Sequence, residues 1–399
     1  MTNIAILGFG VVGSGVADLI TKNMAEIKKF CGEEINIKYI LDLRDFPDSP
    51  FADRVIHDYN VIAADPEVST VIEVMGGSHP AYEFTVAALS AGKNVITSNK
   101  EVVANFGDEF LALAKKNNVS YRFEASVGGG IPVISPMISC ISHNKIREVR
   151  GILNGTTNYI LTKMFSFGDS FESALSDAQA KGYAERNPDA DVLGTDAARK
   201  ITILSALATG SLVPVTKVET EGITKIRKAD VVAAEKIGCS IKLLGRCILE
   251  GDLPYVFVAP FMLSSDSALS GVCGVYNAVE VVAEPLGNVM FYGKGAGAGA
   301  TASAVVGDLM QTVIYGSVGL PSFEKTEKLA CMCTFSSRRY FAYDATAKDA
   351  VAKVFGKVDY IDADECAFVC PEMSEKEAKE KQAALSALGF EALSSIRIL

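Results

Sequence analysis

Residues 3–13, NIAILGFGVVG, decide the fold. Asn3 to Leu7 is a short apolar run of strand type, and Gly8-Phe9-Gly10-Val11-Val12-Gly13 follows it directly. The next residues, SGVADLITKNMAEIKKF, place apolar side chains at helical spacing. Strand, glycine turn and helix in that order is the context in which G-x-G-x-x-G binds a dinucleotide. Gly8 makes the tight turn, Gly10 lets the backbone approach a pyrophosphate, and Gly13 lets helix and strand pack closely. The anion would sit on the free amides of the helix N-terminus. A tight turn with no ligand is the plain alternative.

The pattern then repeats. INIKYIL (35–41) is a second strand, and Asp42 behind it would suit the ribose hydroxyls of NAD. Arg44 would suit the 2′-phosphate of NADP, so the cofactor stays open between the two. STVIEVM (69–75), KNVITS (93–98) and SYRFEASV (120–127) read as further strands, with helices AYEFTVAALSAG and VVANFGDEFLALAKKN between them. Alternating strands and helices predict a parallel, doubly wound sheet. Ligands bind beyond the carboxyl ends of such strands, where Ser98, Asn99 and Lys100 lie. In EASVGGGI (124–131), backbone carbonyls beside Glu124 offer ligands for a monovalent cation; a flexible crossover is the alternative.

Composition narrows the function. The chain has 399 residues, 49% of them hydrophobic, no tryptophan and a net charge of −10. That length accommodates two or three domains, and the charge argues against nucleic acid and anionic membranes. The uncharged run Ile201–Thr216 is too short to span a bilayer and contains Gly210 and Pro214. No signal segment precedes the first strand, and nine scattered cysteines suit reduced thiols, so a cytoplasmic location is expected. Cys331-x-Cys333 and Cys366-x3-Cys370 lack the spacing of a zinc site and fall in strand-like runs.

From Pro132 the pattern changes. IREVRGIL leads into Asn154-Gly-Thr-Thr-Asn158 and the helix YILTKMFSFG, a turn that offers hydroxyls and amides to a small polar ligand. IKLLGRCILEG, PYVFVAPFML and AVEVVAEPLGNVMFYG read as strands of a mostly antiparallel sheet. A second glycine turn, Gly293-Lys-Gly-Ala-Gly297-Ala-Gly-Ala-Thr301, precedes an apolar helix that either returns to the first domain or forms a hinge.

GYAERNPDADVLGTDAARK (182–200) passes four carboxylates and enters a helix starting near Leu193 to Thr195, with Thr195 as the expected N-cap. Asp196 and Lys200 then share one face at i and i+4. The plain reading is an exposed ion pair worth little. However, the helix runs on as ITILSALATGSLVPV, so Lys200 sits at the mouth of a core. Burial there moves a lysine's pKa toward acid/base work, with a carboxylate to hold it. A thioester mechanism would need a cysteine at a helix start beside a base, and none of the nine has that setting.

Together GFGVVG, TSNKE, FEASVGGGIP, GILNGTTNYIL, GYAERNPDADVLGTDAARK and GKGAGAGATASAVVGDL, in this order over residues 1–320, resemble homoserine dehydrogenase. The resemblance implies reversible reduction of L-aspartate 4-semialdehyde to L-homoserine with NADH or NADPH, on the way to threonine and methionine. It implies that Lys200 is the general acid/base, oriented by Asp196, with Lys100 between nicotinamide and substrate. Glu185, Asp191, Thr156 and Tyr183 would hold the substrate's ammonium and carboxylate. Gly8 to Gly13, Asp42, Arg44, Ser98, Lys100 and Gly297 would hold the cofactor. Glu124 with carbonyls of Val127, Gly129 and Ile131 would hold a sodium-like cation. A homodimer, or a larger homo-oligomer, is implied through the middle domain. The chain starts at the cofactor strand, so no fused aspartate kinase is expected.

The expected fold is α/β. A Rossmann-like domain over 1–131 would be rejoined by 295–320. An α+β substrate and dimerisation domain would cover 132–294. A small ferredoxin-like domain over 324–399 resembles an ACT regulatory domain, but Asp344-Ala-Thr-Ala replaces its usual Asp-x-Pro-Gly-like turn. KLACMCTF and RRYFAYDA read as its first strands. Two other readings compete: a dinucleotide-sensing regulator, which would not need the Asp196/Lys200 pair, and another amino-acid dehydrogenase on the same scaffold.

Overall fold

The computed structural model describes residues 1–399. β1 (Thr2–Leu7) leads through the glycine turn into α1 (Val11–Lys22) and α2 (Met24–Cys31). Then come β2 (Ile35–Leu41), β3 (Val55–Ile56), α3 (Tyr59–Ala64), β4 (Val68–Glu73), α4 (Ala81–Ser90), β5 (Asn94–Thr97), α5 (Lys100–Asn117) and β6 (Tyr121–Arg122). The strands pair in parallel in the order β3-β2-β1-β4-β5-β6, the order of a dinucleotide-binding sheet. Their apolar runs are buried on both faces, as parallel strands covered by helices must be. Gly8 takes a left-handed φ of 95°. A Cβ on Gly13 would lie 1.9 Å from the Gly8 carbonyl oxygen, so only glycine lets α1 pack this close to the turn.

The last strand is shorter than its sequence suggests. Beyond Arg122 the chain turns into a 3₁₀ segment, Glu124–Ser126. The Glu124 amide donates to Asp308 at 2.8 Å instead of to a strand neighbour, which takes this piece out of the sheet.

The second unit runs through α6 (Ile134–Pro136), β7 (Lys145–Ile152), α7 (Gly155–Phe167), α8 (Phe171–Ala180), α9 (Asp189–Val192) and α10 (Thr195–Thr209). It continues with β8 (Ser211–Leu212), β9 (Glu219–Thr220), α11 (Lys228–Lys236), β10 (Cys239–Ile248), β11 (Tyr255–Ser264), β12 (Tyr276–Glu284) and β13 (Gly287–Lys294). Here β13-β12-β7-β10-β11 pair antiparallel, and α10 lies against β10, β11 and β7. α12 (Ala298–Tyr315) then packs on α1. Its Ala302, Val305, Val306 and Leu309 share one core with Ile4, Ile6, Val16 and Ile20.

Thr195 is not the N-cap of α10. Gly194 holds that place with φ 87°, in the left-handed region, because the chain reverses between α9 and α10. Thr195 is thereby drawn into the first turn, and no side chain caps the helix.

The remaining elements are β14 (Glu324–Lys325), β15 (Ser336–Tyr343), α13 (Lys348–Phe355), β16 (Asp359–Ile361), β17 (Cys366–Ser374), α14 (Glu375–Ala387) and β18 (Ser394–Ile398). KLACMCTF is not a strand: it is extended loop with a 3₁₀ turn at Met332–Thr334. That turn brings Cys331 and Cys333 to a Cα separation of 5.2 Å, with their sulfurs facing each other. Asp344 accepts from the Thr346 amide at 2.9 Å, so the altered turn still starts a helical segment. The tail does not form a sheet of its own. β18 lies parallel to β11, with Phe261 opposite Arg397, and β15, β17 and β16 extend the middle sheet outward. Across this junction the buried Glu375 accepts from Arg339 and, at 2.7 Å, from Arg397, which also holds Glu221 at 2.7 Å.

Candidate active site

Two helices and one turn meet between the sheets. Lys100 is the first residue of α5, at the carboxyl end of β5, with Asn99 as N-cap accepting from the amides of Glu101 and Val102. Asp196 and Lys200 lie on the buried face of α10. Asn154, the N-cap of α7, accepts from the Thr157 amide and turns its own amide toward α10.

Asp196 is the hub. One oxygen receives Lys100 Nζ at 2.7 Å, and the other receives Lys200 Nζ at 2.8 Å and Asn154 Nδ2 at 2.9 Å. Lys200 Nζ also donates to the Leu153 carbonyl at 2.7 Å, so two fixed acceptors aim it. Asn154 Nδ2 reaches Asp191 as well, at 2.6 Å. Burial opposes both members of the ion pair. At Lys200 it prevails and pushes the ammonium's pKa down, although Asp196 resists and Lys100 adds to the push. At Asp196 burial is overcome by Lys200 and Lys100 together, so the carboxyl stays below the usual range. Burial raises Asp191. One buried carboxylate facing two ammonium groups stays charged and holds a lysine that is ready to give up its proton.

The other expected substrate residues are less tightly gathered. Thr156 is buried and its hydroxyl donates to the Tyr183 carbonyl at 2.6 Å, tying α7 to the loop before α9. Tyr183 is half exposed, its ring 5.0 Å from that of Tyr159. Glu185 is exposed on the same loop. Asn154 was not singled out from sequence beyond the polar turn containing it. Its position at a strand-to-helix junction, facing a carboxylate-rich loop, was the available signal.

On the dinucleotide side, Gly8 to Gly10 form the turn before α1, with Gly10 as its N-cap, and Val11 to Gly13 are the first residues of the helix. Phe9 is buried against Phe46 and Phe51, Val11 is exposed, and Val12 packs against the core. Asp42 accepts from the Phe9 amide at 2.7 Å and from Arg44 Nε at 3.0 Å. Arg44 first, and then the Phe9 amide, bring its pKa down to about 2. The Arg44 side chain is 63% exposed and its guanidinium lies over Phe46. The Ser98 amide donates to the Glu73 carbonyl at 3.3 Å. Gly297, with φ 118°, stands before α12.

The expected cation residues show a different use of Glu124. Its carboxylate accepts from the amides of Val133, Ile134 and Ser135 at 2.7–2.8 Å, capping the start of α6. Val127, Gly129 and Ile131 form a tight turn whose Gly128 and Gly129 are left-handed. A Cβ on Gly129 would lie 2.7 Å from the Gly295 oxygen, so the two glycine-rich turns touch backbone to backbone. No group of three His, Cys, Asp or Glu side chains is placed to hold a metal.

A six-stranded dinucleotide sheet with a lysine–aspartate–lysine cluster beyond its strands defines a nicotinamide-dependent oxidoreductase. Comparisons narrow the class. The family model for the homoserine dehydrogenase NAD-binding domain matches residues 8–124, and that for homoserine dehydrogenase matches residues 132–310. The chain belongs to the homoserine dehydrogenase family. It is 40% identical over 315 residues to a homoserine dehydrogenase of Synechocystis sp., covering 78% of this chain and 73% of that one. The crystal structure of a homoserine dehydrogenase from Thiobacillus denitrificans superposes with a TM-score of 0.91 at 31% identity, covering 100% and 98% of the two chains. A hyperthermophilic archaeal homoserine dehydrogenase mutant, solved in complex with NADPH, gives 0.67 at 29% identity over 78% of this chain and 97% of that one.

Proposed function

We propose that this chain reduces L-aspartate 4-semialdehyde reversibly to L-homoserine, with Lys200 as the acid that protonates the forming alkoxide. The observation that carries the reading is Asp196, buried and shared between Lys100 at 2.7 Å and Lys200 at 2.8 Å. A bound nicotinamide would supply the hydride. The protein contributes a positioned proton and a dry site. Lys200 donates its proton to the carbonyl oxygen as charge develops there, and recovers it in the reverse direction. Asp196 keeps Lys200 oriented and cationic, and Lys100 adds positive charge on the cofactor side. Asp191, with Thr156 and Tyr183 nearby and Glu185 on the same loop, forms the polar wall for the substrate's ammonium and carboxylate.

Gly8 to Gly13 and the first amides of α1 would hold the pyrophosphate. We favour NADP over NAD, because Asp42 is already engaged by Phe9 and Arg44 while the Arg44 side chain stays largely exposed for a 2′-phosphate. A monovalent cation, if held at residues 124–131, would rest on carbonyls of Val127, Gly129 and Ile131, since the Glu124 carboxylate caps α6. A dimer through the middle sheet fits the edge strand β13, which leaves Met290 and Tyr292 exposed. No helix is long and apolar enough to cross a membrane.

The test is an assay of the purified protein with L-aspartate 4-semialdehyde, run in parallel with NADPH and NADH and read by the loss of reduced-cofactor absorbance. Turnover that is faster with NADPH is expected. A folded, nucleotide-binding protein that oxidises neither cofactor would overturn the reading and favour a sensor.

A further inference from the structure

Glu73 is the last residue of β4 and is fully buried, and the chemistry described above gives it no part. Its strand neighbours are Leu7 and Thr97. One carboxyl oxygen accepts from the Met75 amide at 2.8 Å, and the other from the Thr97 hydroxyl at 2.6 Å. Thr97 in turn accepts from the Asn99 amide at 2.9 Å. Asn99 donates from its side chain to the Gly77 carbonyl at 2.7 Å and caps the helix that begins with Lys100. The Met75 side chain meets the position a Cβ would take on Gly8, at 3.1 Å. Glu73 therefore ties together two turns at the carboxyl edge of the sheet, one against the dinucleotide glycines and one carrying Lys100.

We propose that Glu73 is a positioning residue for the reaction, setting the Lys100 turn through Thr97 and Asn99. The inference rests on the dehydrogenase reading. In the ionised form the carboxylate accepts from both groups, the Met75 N–H and the Thr97 O–H. Protonation replaces these charge-assisted hydrogen bonds with weaker neutral ones, and the Thr97 hydroxyl then accepts from Glu73 as well as from Asn99. Burial pushes this carboxyl up to about 7, against the Thr97 and Met75 hydrogen bonds. No cation faces it. Tyr121 of β6 is the titratable group on its far side, and the neighbouring positions on β1 and β5 are uncharged. The turn tightens as pH rises through that range and loosens as it falls.

The experiment compares full-length wild type with Glu73→Gln, Thr97→Val and Thr97→Ser. Steady-state kcat and KM are measured across neutral pH with NADPH and L-aspartate 4-semialdehyde, and NADPH affinity is measured separately by fluorescence. Wild-type kcat should fall on the acid side of about 7, and Glu73→Gln should lose that inflection. Misplacement of a group beside the reacting atoms costs on the order of tenfold or more. Glu73→Gln and Thr97→Val should therefore each lose roughly 5- to 50-fold in kcat, with the substrate KM nearly unchanged. Thr97→Ser, which keeps the hydroxyl, should stay within about twofold of wild type. If Glu73→Gln does not fold, Thr97→Val against Thr97→Ser still decides the matter. An acid inflection retained in Glu73→Gln, or equal kcat in the two Thr97 variants, overturns the inference. Absence of turnover in the wild type would sink the dehydrogenase reading itself, a separate outcome.

Discussion

Lys100 and Lys200 take opposite oxygens of one carboxylate, although Lys100 comes from the dinucleotide sheet and Lys200 from the helix beneath the second sheet. Asp196 is thus the electrostatic joint between the two units. Asp196→Asn removes the charge that keeps Lys200 cationic against burial, so the Lys200 pKa falls further. In the proposed mechanism reduction needs the ammonium form and is lost as pH rises through that pKa. The alkaline limb of the reduction profile should move to lower pH in the variant, and a pH–rate series on both proteins checks it. An unmoved limb would assign it to another group.

Lys200→Ala removes the proposed acid. Turnover should fall by a factor of about 10²–10⁴, the usual loss with a general acid. NADPH binding should persist, because Lys200 bonds only to Leu153 and Asp196. Fluorescence titration with NADPH alongside the rate assay separates the two effects.

Arg44→Ala tests the cofactor choice. With the guanidinium gone, Asp42 loses its side-chain contacts with residue 44 but still accepts from the amides of Phe9 and of residue 44. The KM for NADPH should rise roughly tenfold or more, as expected for loss of a charge-assisted phosphate contact. The KM for NADH should stay level or fall. Equal losses with both cofactors would show that Arg44 does not read the 2′-phosphate.

Glu375 stands between two buried arginines at the junction of tail and middle sheet. Glu375→Ala leaves Arg339 without its ion-pair partner and Arg397 with only Glu221. Breaking a buried pair on one side typically costs about 3–5 kcal/mol, and equilibrium denaturation in urea should show a loss of that order. A change below about 1 kcal/mol would mean that water reaches the arginines.

Much of this was legible locally. The glycine turn between β1 and α1 follows from three glycines at fixed spacing, and Gly13 has no room for a side chain. The pairing of Asp196 with Lys200 follows from helical spacing alone. What was not legible depends on distant contacts. The N-cap of α10 fell on Gly194 and not Thr195, because a short helix precedes it and the turn between them needs a left-handed residue. Residues 123–127 left the sheet because Asp308, far along the chain, takes the Glu124 amide. Asn154 became part of the cluster only when α7 and α10 were brought together, and no local pattern encodes that. In the tail RRYFAYDA falls on β15, but β16 has no signal in the sequence reading, and nothing there indicates that β18 would find β11.

That insertion has a consequence for how the protein is made. β11 is translated more than a hundred residues before its neighbour β18. On a ribosome adding about 5–20 residues per second, the edge of β11 waits on the order of ten seconds for its partner. Through that interval the part of β11 beyond its pairing with β9, around Phe261 and Met262, is open to any other extended chain. Nascent chains crowded on one message would therefore be most vulnerable to one another at this edge, and a holding chaperone would have its natural place there.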